Sequence, residues 1–322
     1  MRKLQVTAIA AFGVAALASG AAHACGDVTI TDFDWQSAQV NSAIAKFILT
    51  NGYGCNVTAV PSTTNTALVS LAENGQPDVL TEVWENANAA MLDMQAAGKV
   101  AFLSEVLSDG GQQGWWVPKY LVDEHPEMAT LAGILASPAM TGGKFYSCPD
   151  GWTCNFTNAN MAKAAGLADK GIEVFVPGSG ETLATSLASA YADKQPWFGY
   201  YWAPSSLLGQ NPMVKVDVGP YDQAAFDCNA TADCATPAMS DYPRDKVWTV
   251  VTTDFQSREP EAASMLAKMA FSNQQLGEVM AWQDANKASP DEAAAYFLST
   301  YKETWGGWLD DGAREKLGAL LQ

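Results

Sequence analysis

Five tryptophans of this chain stand where loops or strand ends are expected: Trp35, Trp84, Trp116, Trp152 and Trp202. An indole face attracts a cation, contributing about 0.5–2 kcal/mol per ring depending on how dry the contact is. A trimethylated nitrogen carries no hydrogen-bond donor, so polar side chains cannot read it, whereas a box of indole faces can. Trp152 is the most constrained of the five. It lies in Cys148-Pro149-Asp150-Gly151-Trp152-Thr153-Cys154, where the cysteines can close a small loop and Pro149 and Gly151 make a turn. Asn155 to Asn160 supply caps for a following helix. The indole is thereby held beside an amide-rich helix start, a place that favours negative charge. The competing reading is a loop staple with a packed indole, and for any one of the five a core or interface role stands about level.

Other chemistry is poorly supplied. Apart from His23 near the start, the only histidine is His125, in Asp123-Glu124-His125-Pro126-Glu127, which reads as a solvated loop. A His-ligated metal site or a Ser-His-Asp triad has nothing else to draw on. Gly178-Ser179-Gly180-Glu181 lacks both the spacing of a nucleophile elbow and the lysine of a phosphate loop, and reads as a helix start. No feature pairs two carboxylates as acid and base. The expectation is a chain without catalytic residues, metal or cofactor.

The elements that must position these tryptophans follow a repeating rhythm. Val28–Ile30 opens as a strand, with Asp32-Phe33-Asp34-Trp35 as the loop at its carboxyl end. Ser37 begins a helix whose Val40, Ile44, Phe47 and Ile48 share one face, and Gly52 and Gly54 end it. Strand Asn56–Val60, a helix from about Asn65 to Asn74 and strand Asp78–Val83 follow, leading to Trp84. Such a βαβαβ order indicates an α/β fold, a mainly parallel sheet flanked by helices. Ligands of such sheets sit in a crevice off the carboxyl ends of the strands, where Trp35 and Trp84 fall. Trp115-Trp116-Val117-Pro118 reads as a crossover into a second unit with strands Gly143–Ser147, Ile172–Val176, Trp197–Trp202 and Val214–Val218. Lys246–Thr252 reads as a strand carrying the chain back. From Glu259 onward the pattern is helical, with Trp282, Trp305 and Trp308 as core.

Compartment follows from the ends and the cysteines. Arg2 and Lys3, an apolar run from Ala8 to Leu17 and Ala22-His23-Ala24 read as a cleaved signal peptide over residues 1–24. Cys25 comes next, which raises lipid attachment, but Ala22 stands where leucine is usual three positions earlier, so a soluble periplasmic product is expected. Cleavage leaves 322 − 24 = 298 residues, enough for two domains, and shifts the net charge from −17 to −19. That charge repels nucleic acid and suits a cationic ligand. Six cysteines in an exported chain imply oxidised pairs. Spacing pairs Cys148 with Cys154 and Cys228 with Cys234, leaving Cys25 with Cys55, each just before one of two adjacent strands.

Cys148-Pro149-Asp150-Gly151-Trp152-Thr153-Cys154, Glu82-Val83-Trp84-Glu85 and Tyr200-Tyr201-Trp202-Ala203-Pro204 give the chain a family likeness. It resembles, over essentially its whole mature length, the periplasmic substrate-binding proteins of ABC importers for quaternary amines, the glycine betaine, choline and proline betaine family. The resemblance implies a two-domain, type II-like periplasmic binding protein fold with the ligand cleft between the domains. Domain I would be 25–115 plus 253–322 and domain II 116–252. It implies that Trp84 comes from the first domain and Trp152 and Trp202 from the second, with the backbone amides of Thr153 and Cys154 facing the ligand's negative end. Asp34-Trp35 and Trp116-Val117-Pro118 match more loosely. Relatives that bind a carboxylated betaine often add a basic side chain. None is identifiable here, where Asp34, Glu82, Glu85 and Glu181 surround the site instead. That departure leaves room for choline or trimethylamine N-oxide. The implied role is a monomeric, non-enzymatic receptor serving a membrane permease and its ATPase. The alternative is a secreted hydrolase or lyase acting on a similar amine.

Overall fold

The computed structural model describes residues 25–85 and 89–321; the expected signal peptide lies outside the described residues. Among the described residues, eleven strands make two sheets. In chain order they are β1 (Asp27–Phe33), β2 (Asn56–Ser62), β3 (Val79–Trp84), β4 (Val100–Glu105), β5 (Gly111–Pro118) and β6 (Lys144–Tyr146). The rest are β7 (Glu173–Phe175), β8 (Gly199–Ala203), β9 (Met213–Lys215), β10 (Arg244–Asp245) and β11 (Val247–Thr252).

The first sheet runs β2-β1-β3-β11-β4 and the second β10-β5-β8-β6-β7, with β9 also on β5. The helical crossovers expected from the sequence, Gln36–Ile48 and Thr64–Asn74, join β1, β2 and β3, which pair in parallel. β6 likewise pairs in parallel with β7 and β8. Both sheets are nevertheless mixed. Only Lys246 separates β10 from β11, so β11 enters the first sheet from the second and runs against β3 and β4. On the other crossing, β5 leaves β4 and runs against β8, β9 and β10. By strand pairing, residues 111–115 belong to the second sheet and Val247–Thr252 to the first. The two crossings therefore fall a few residues ahead of the boundaries expected at 115 and 252.

Two apolar clusters hold the sheets. One fills the second lobe around the fully buried Trp115, Phe145, Trp197 and Phe198 and continues to Phe33, Leu80 and Val83 of the first. The other packs the opposite face of the first sheet against the C-terminal helices, with Ile44, Phe255, Phe271, Phe297, Trp305 and Trp308 inside. Trp282 departs from the expected core role. The helix Asn273–Asn286 buries Leu276, Val279, Met280 and Gln283, and Trp282 lies off that face, half-exposed and stacked on Tyr296 at 4.4 Å. All three expected disulfides form: Cys25–Cys55, Cys148–Cys154 and Cys228–Cys234. Among the described residues, no helix is long and apolar enough to cross a membrane.

Candidate ligand-binding site

A cavity of about 40 Å³ lies between the two sheets, lined by Trp35, Trp84, Trp152 and Trp202 with Glu82, Gln113 and Tyr200, and edged by Thr64, Thr153 and Cys154. Six of the seven residues expected at a site therefore meet here. Trp116 does not. On a strand, side chains two apart share a face. Gln113 of β5 pairs with Trp202 of β8 and Trp115 with Tyr200, so these four side chains project from one side of the second sheet. Trp116 projects from the other, where its Nε1–H donates to the Tyr201 carbonyl at 3.1 Å. Trp115, further along the cleft-side face, is sealed in the second lobe's core and donates to Asn158 Oδ1 at 2.7 Å.

The first lobe's two tryptophans share one acceptor. Glu82 is the only charged residue in β3, a strand otherwise buried and almost wholly apolar, and it is 1% exposed. Its Oε1 accepts from Trp35 Nε1 at 2.7 Å, Ser37 Oγ at 2.8 Å and Trp84 Nε1 at 3.2 Å, while Oε2 accepts from Asn41 Nδ2 at 2.8 Å. Burial pushes the Glu82 carboxyl above the ordinary carboxylate range; the donors from Trp35, Ser37, Trp84 and Asn41 counter that only in part. Indole N–H groups can only donate, so the partner set matches an anionic carboxylate and a positive charge in the cavity would complete it. Trp84 is also fixed sterically. A Cβ on Gly111 would lie 2.1 Å from its ring, so the indole rests on the strand that crosses between the lobes.

In the second lobe, Gly151 turns the disulfide loop at φ +84°, and the helix Cys154–Ala164 follows at once. The first-turn amides of a helix have no intrahelical acceptor, and Thr153 and Cys154, at the start of this helix, edge the cavity. Trp202 stacks on Tyr201 at 4.5 Å and meets Trp152 edge-on at 5.3 Å, and Trp152 meets Trp35 of the other lobe edge-on at 5.1 Å. Behind them Tyr200 donates to Gln113 Oε1 at 2.7 Å, and Gln113 Nε2 to Asp245 Oδ2 at 2.6 Å. Of the other acidic residues expected around the site, Glu85 accepts from Trp248 at 2.5 Å. Asp34 and Glu181 line a larger neighbouring cavity of about 530 Å³.

Sequence reading missed the shared acceptor role of Glu82 and the lining residues Tyr200 and Gln113. A lone carboxylate in a buried strand is a signal for the first. Tyr200 follows from Trp202 by the two-residue period.

Comparison with known proteins agrees with this geometry. A trimethylamine N-oxide-binding protein of Pelagibacter ubique (strain HTCC1062) is 25% identical over 302 residues, covering 89% of this chain and 92% of that one. Among solved structures, an ABC-transporter choline-binding protein in complex with choline superposes with a TM-score of 0.72 at 20% identity, covering 92% of this chain and 99% of that one. The lactococcal OpuAC in its closed-liganded conformation with glycine betaine gives 0.67 at 17% identity, covering 88% and 100%. Those likenesses establish the two-domain binding-protein fold. Residues 26–300 match the family described as the substrate-binding domain of the ABC-type glycine betaine transport system, and the chain belongs to that family.

Proposed function

We propose that this protein is the receptor of an ABC importer and binds a compact trimethylated amine, trimethylamine N-oxide before choline or glycine betaine. The observation that carries the reading is four indoles, two from each lobe, set around a buried carboxylate. The indole faces and Glu82 suit the methylated cationic end, and the amides of Thr153 and Cys154 suit a negative end. The cavity lining holds no lysine or arginine for a carboxylate. One water takes roughly 10–15 Å³ on this scale, so about 40 Å³ favours the smallest of the three amines. The curated relative named for trimethylamine N-oxide supports the same choice.

In this reading the protein is a periplasmic monomer without catalytic activity. Its lobes close about the crossings at 106–110 and Lys246, and the closed form delivers the amine to a permease driven by a separate ATPase. Tryptophan fluorescence of the unliganded protein, titrated with trimethylamine N-oxide, choline, glycine betaine and L-proline, tests it. Saturable binding confined to methylated amines, tightest for the N-oxide, is expected. A flat response to all of them rejects the receptor role, and ligand turnover on long incubation, followed by mass spectrometry, favours the enzyme alternative.

A further inference from the structure

The wall formed by Trp152 takes its hydrogen-bond acceptor from the other lobe. Its Nε1–H donates to Asp34 Oδ1 at 2.7 Å, and Asp34 follows β1 of the first sheet, 118 residues away. The other oxygen of the same carboxylate, Oδ2, accepts the backbone amide of Gly180 at 3.3 Å. Gly180 is the first residue of the helix Gly180–Ala192, whose positive end faces the carboxylate. Asp34 thus ties two separate loops of the second lobe to the end of one first-lobe strand. It does not line the tryptophan cavity; it stands behind Trp152, on the side of the larger cavity.

Shape reinforces the bond. A Cβ on Gly180 would lie 2.6 Å from the Asp34 carbonyl oxygen and 2.7 Å from Trp152 Cζ2. Only glycine lets the helix end, the carboxylate and the indole meet. Of the other hydrogen bonds between the lobes, Asn65 N–H to the Gly151 carbonyl at 3.0 Å also holds the loop of Trp152, whereas two lie elsewhere: Ser206 Oγ to Gln36 Oε1 at 2.7 Å, and the exposed pair Gln210 Nε2 to Asp284 Oδ2 at 2.9 Å. Neither of those touches a wall of the tryptophan cavity.

We infer that Asp34, Trp152 and Gly180 form a closure latch, in which Asp34 is a positioning residue that sets the Trp152 indole against the ligand only when the lobes meet. The inference rests on the receptor reading above. In the open protein the latch partners are apart, so the latch contributes to the closed state alone and acts on ligand release rather than on encounter.

The test uses Asp34→Ala and Gly180→Ala in the full mature protein, with Gln210→Ala as a rim control and Trp84→Ala as a cavity control. Stopped-flow tryptophan fluorescence with trimethylamine N-oxide and with choline gives both rate constants. Small-angle scattering at saturating ligand reads compaction, and calorimetry reads the unliganded melting temperature. Both latch variants are expected to release ligand faster, on the order of tenfold, with the association rate and unliganded melting temperature unchanged. They should compact less than wild type at saturation, and Gln210→Ala should behave as wild type. Adding Trp152→Phe to Asp34→Ala should cost less than the sum of the two.

Wild-type release rates and full compaction in both latch variants overturn the latch. So does an Asp34→Ala protein whose unliganded melting temperature falls while its release rate is unchanged. In either case, continued loss of binding in Trp84→Ala leaves the receptor reading standing. Absence of binding by the wild-type protein rejects that reading itself.

Discussion

The two halves of the tryptophan cavity are built differently. In the first lobe, Trp35 and Trp84 donate to one buried carboxylate of the same lobe, Glu82, which Ser37 and Asn41 also hold. That half is set before any ligand arrives, so little ordering cost remains to be met on binding. In the second lobe, Trp202 leans on Tyr201 and meets Trp152 edge-on, and the Trp152 N–H takes its acceptor from Asp34 across the cleft. That half is completed by contact with the first. The contrast assigns charge and preorganisation to one lobe, and closure to the other.

Removing Glu82 is the strongest way to break this contrast. Glu82→Ala strands the N–H groups of Trp35, Trp84 and Asn41 in a buried site, each at about 1–3 kcal/mol. A clear fall in melting temperature and an affinity loss on the order of hundredfold or more are expected, by calorimetry and fluorescence titration. Affinity near wild type would show that the first-lobe half is not organised by this carboxylate.

Glu82→Gln sharpens the same point. The amide oxygen can still accept from both indoles, and Asn41 Oδ1, which has no partner, can turn to accept from the new amide nitrogen. The fold should survive while affinity for choline falls on the order of tenfold, because only the charge is lost. The pH dependence separates the two variants further. Burial holds the Glu82 carboxyl above its unfolded value, so over that window the folded protein binds the extra proton. The unliganded protein therefore loses stability as pH rises through the window, while affinity for choline, a fixed cation, rises as the carboxylate forms. Melting and titration series across pH should show these opposite slopes in the wild type, and Glu82→Gln should abolish both.

Trp152→Phe probes the other half. It keeps an aromatic face and removes the N–H that reaches Asp34, so a loss of less than about tenfold, carried by faster release, is expected in stopped-flow traces. An equal loss in both rate constants would contradict a wall completed by closure. The smallest effect belongs to Trp116→Phe, whose indole lies on the far face of β5. Affinity for every methylated amine should stay within about twofold of wild type by titration, with any change confined to stability. A larger loss would return Trp116 to the site.

Much of this was legible in the residues. Cysteine spacing indicated the loop that carries Trp152, and the alternation of strands and helices marked Trp35, Trp84 and Trp202 as ends of strands facing a crevice. These signals are local, because turn residues and side-chain periods act within a few residues of one another. Tertiary structure alone decided the partnerships. Glu82 gathers donors 41 to 47 residues away as well as its near neighbour Trp84, and Asp34 meets Trp152 across 118. Whether Trp115 or Trp116 faces the cleft depends on the pairing of β5 with β8, and the place of β11 between β3 and β4 on a return from the second sheet. Such choices follow from which strands become neighbours, and a period along one strand carries no information about the strand beside it.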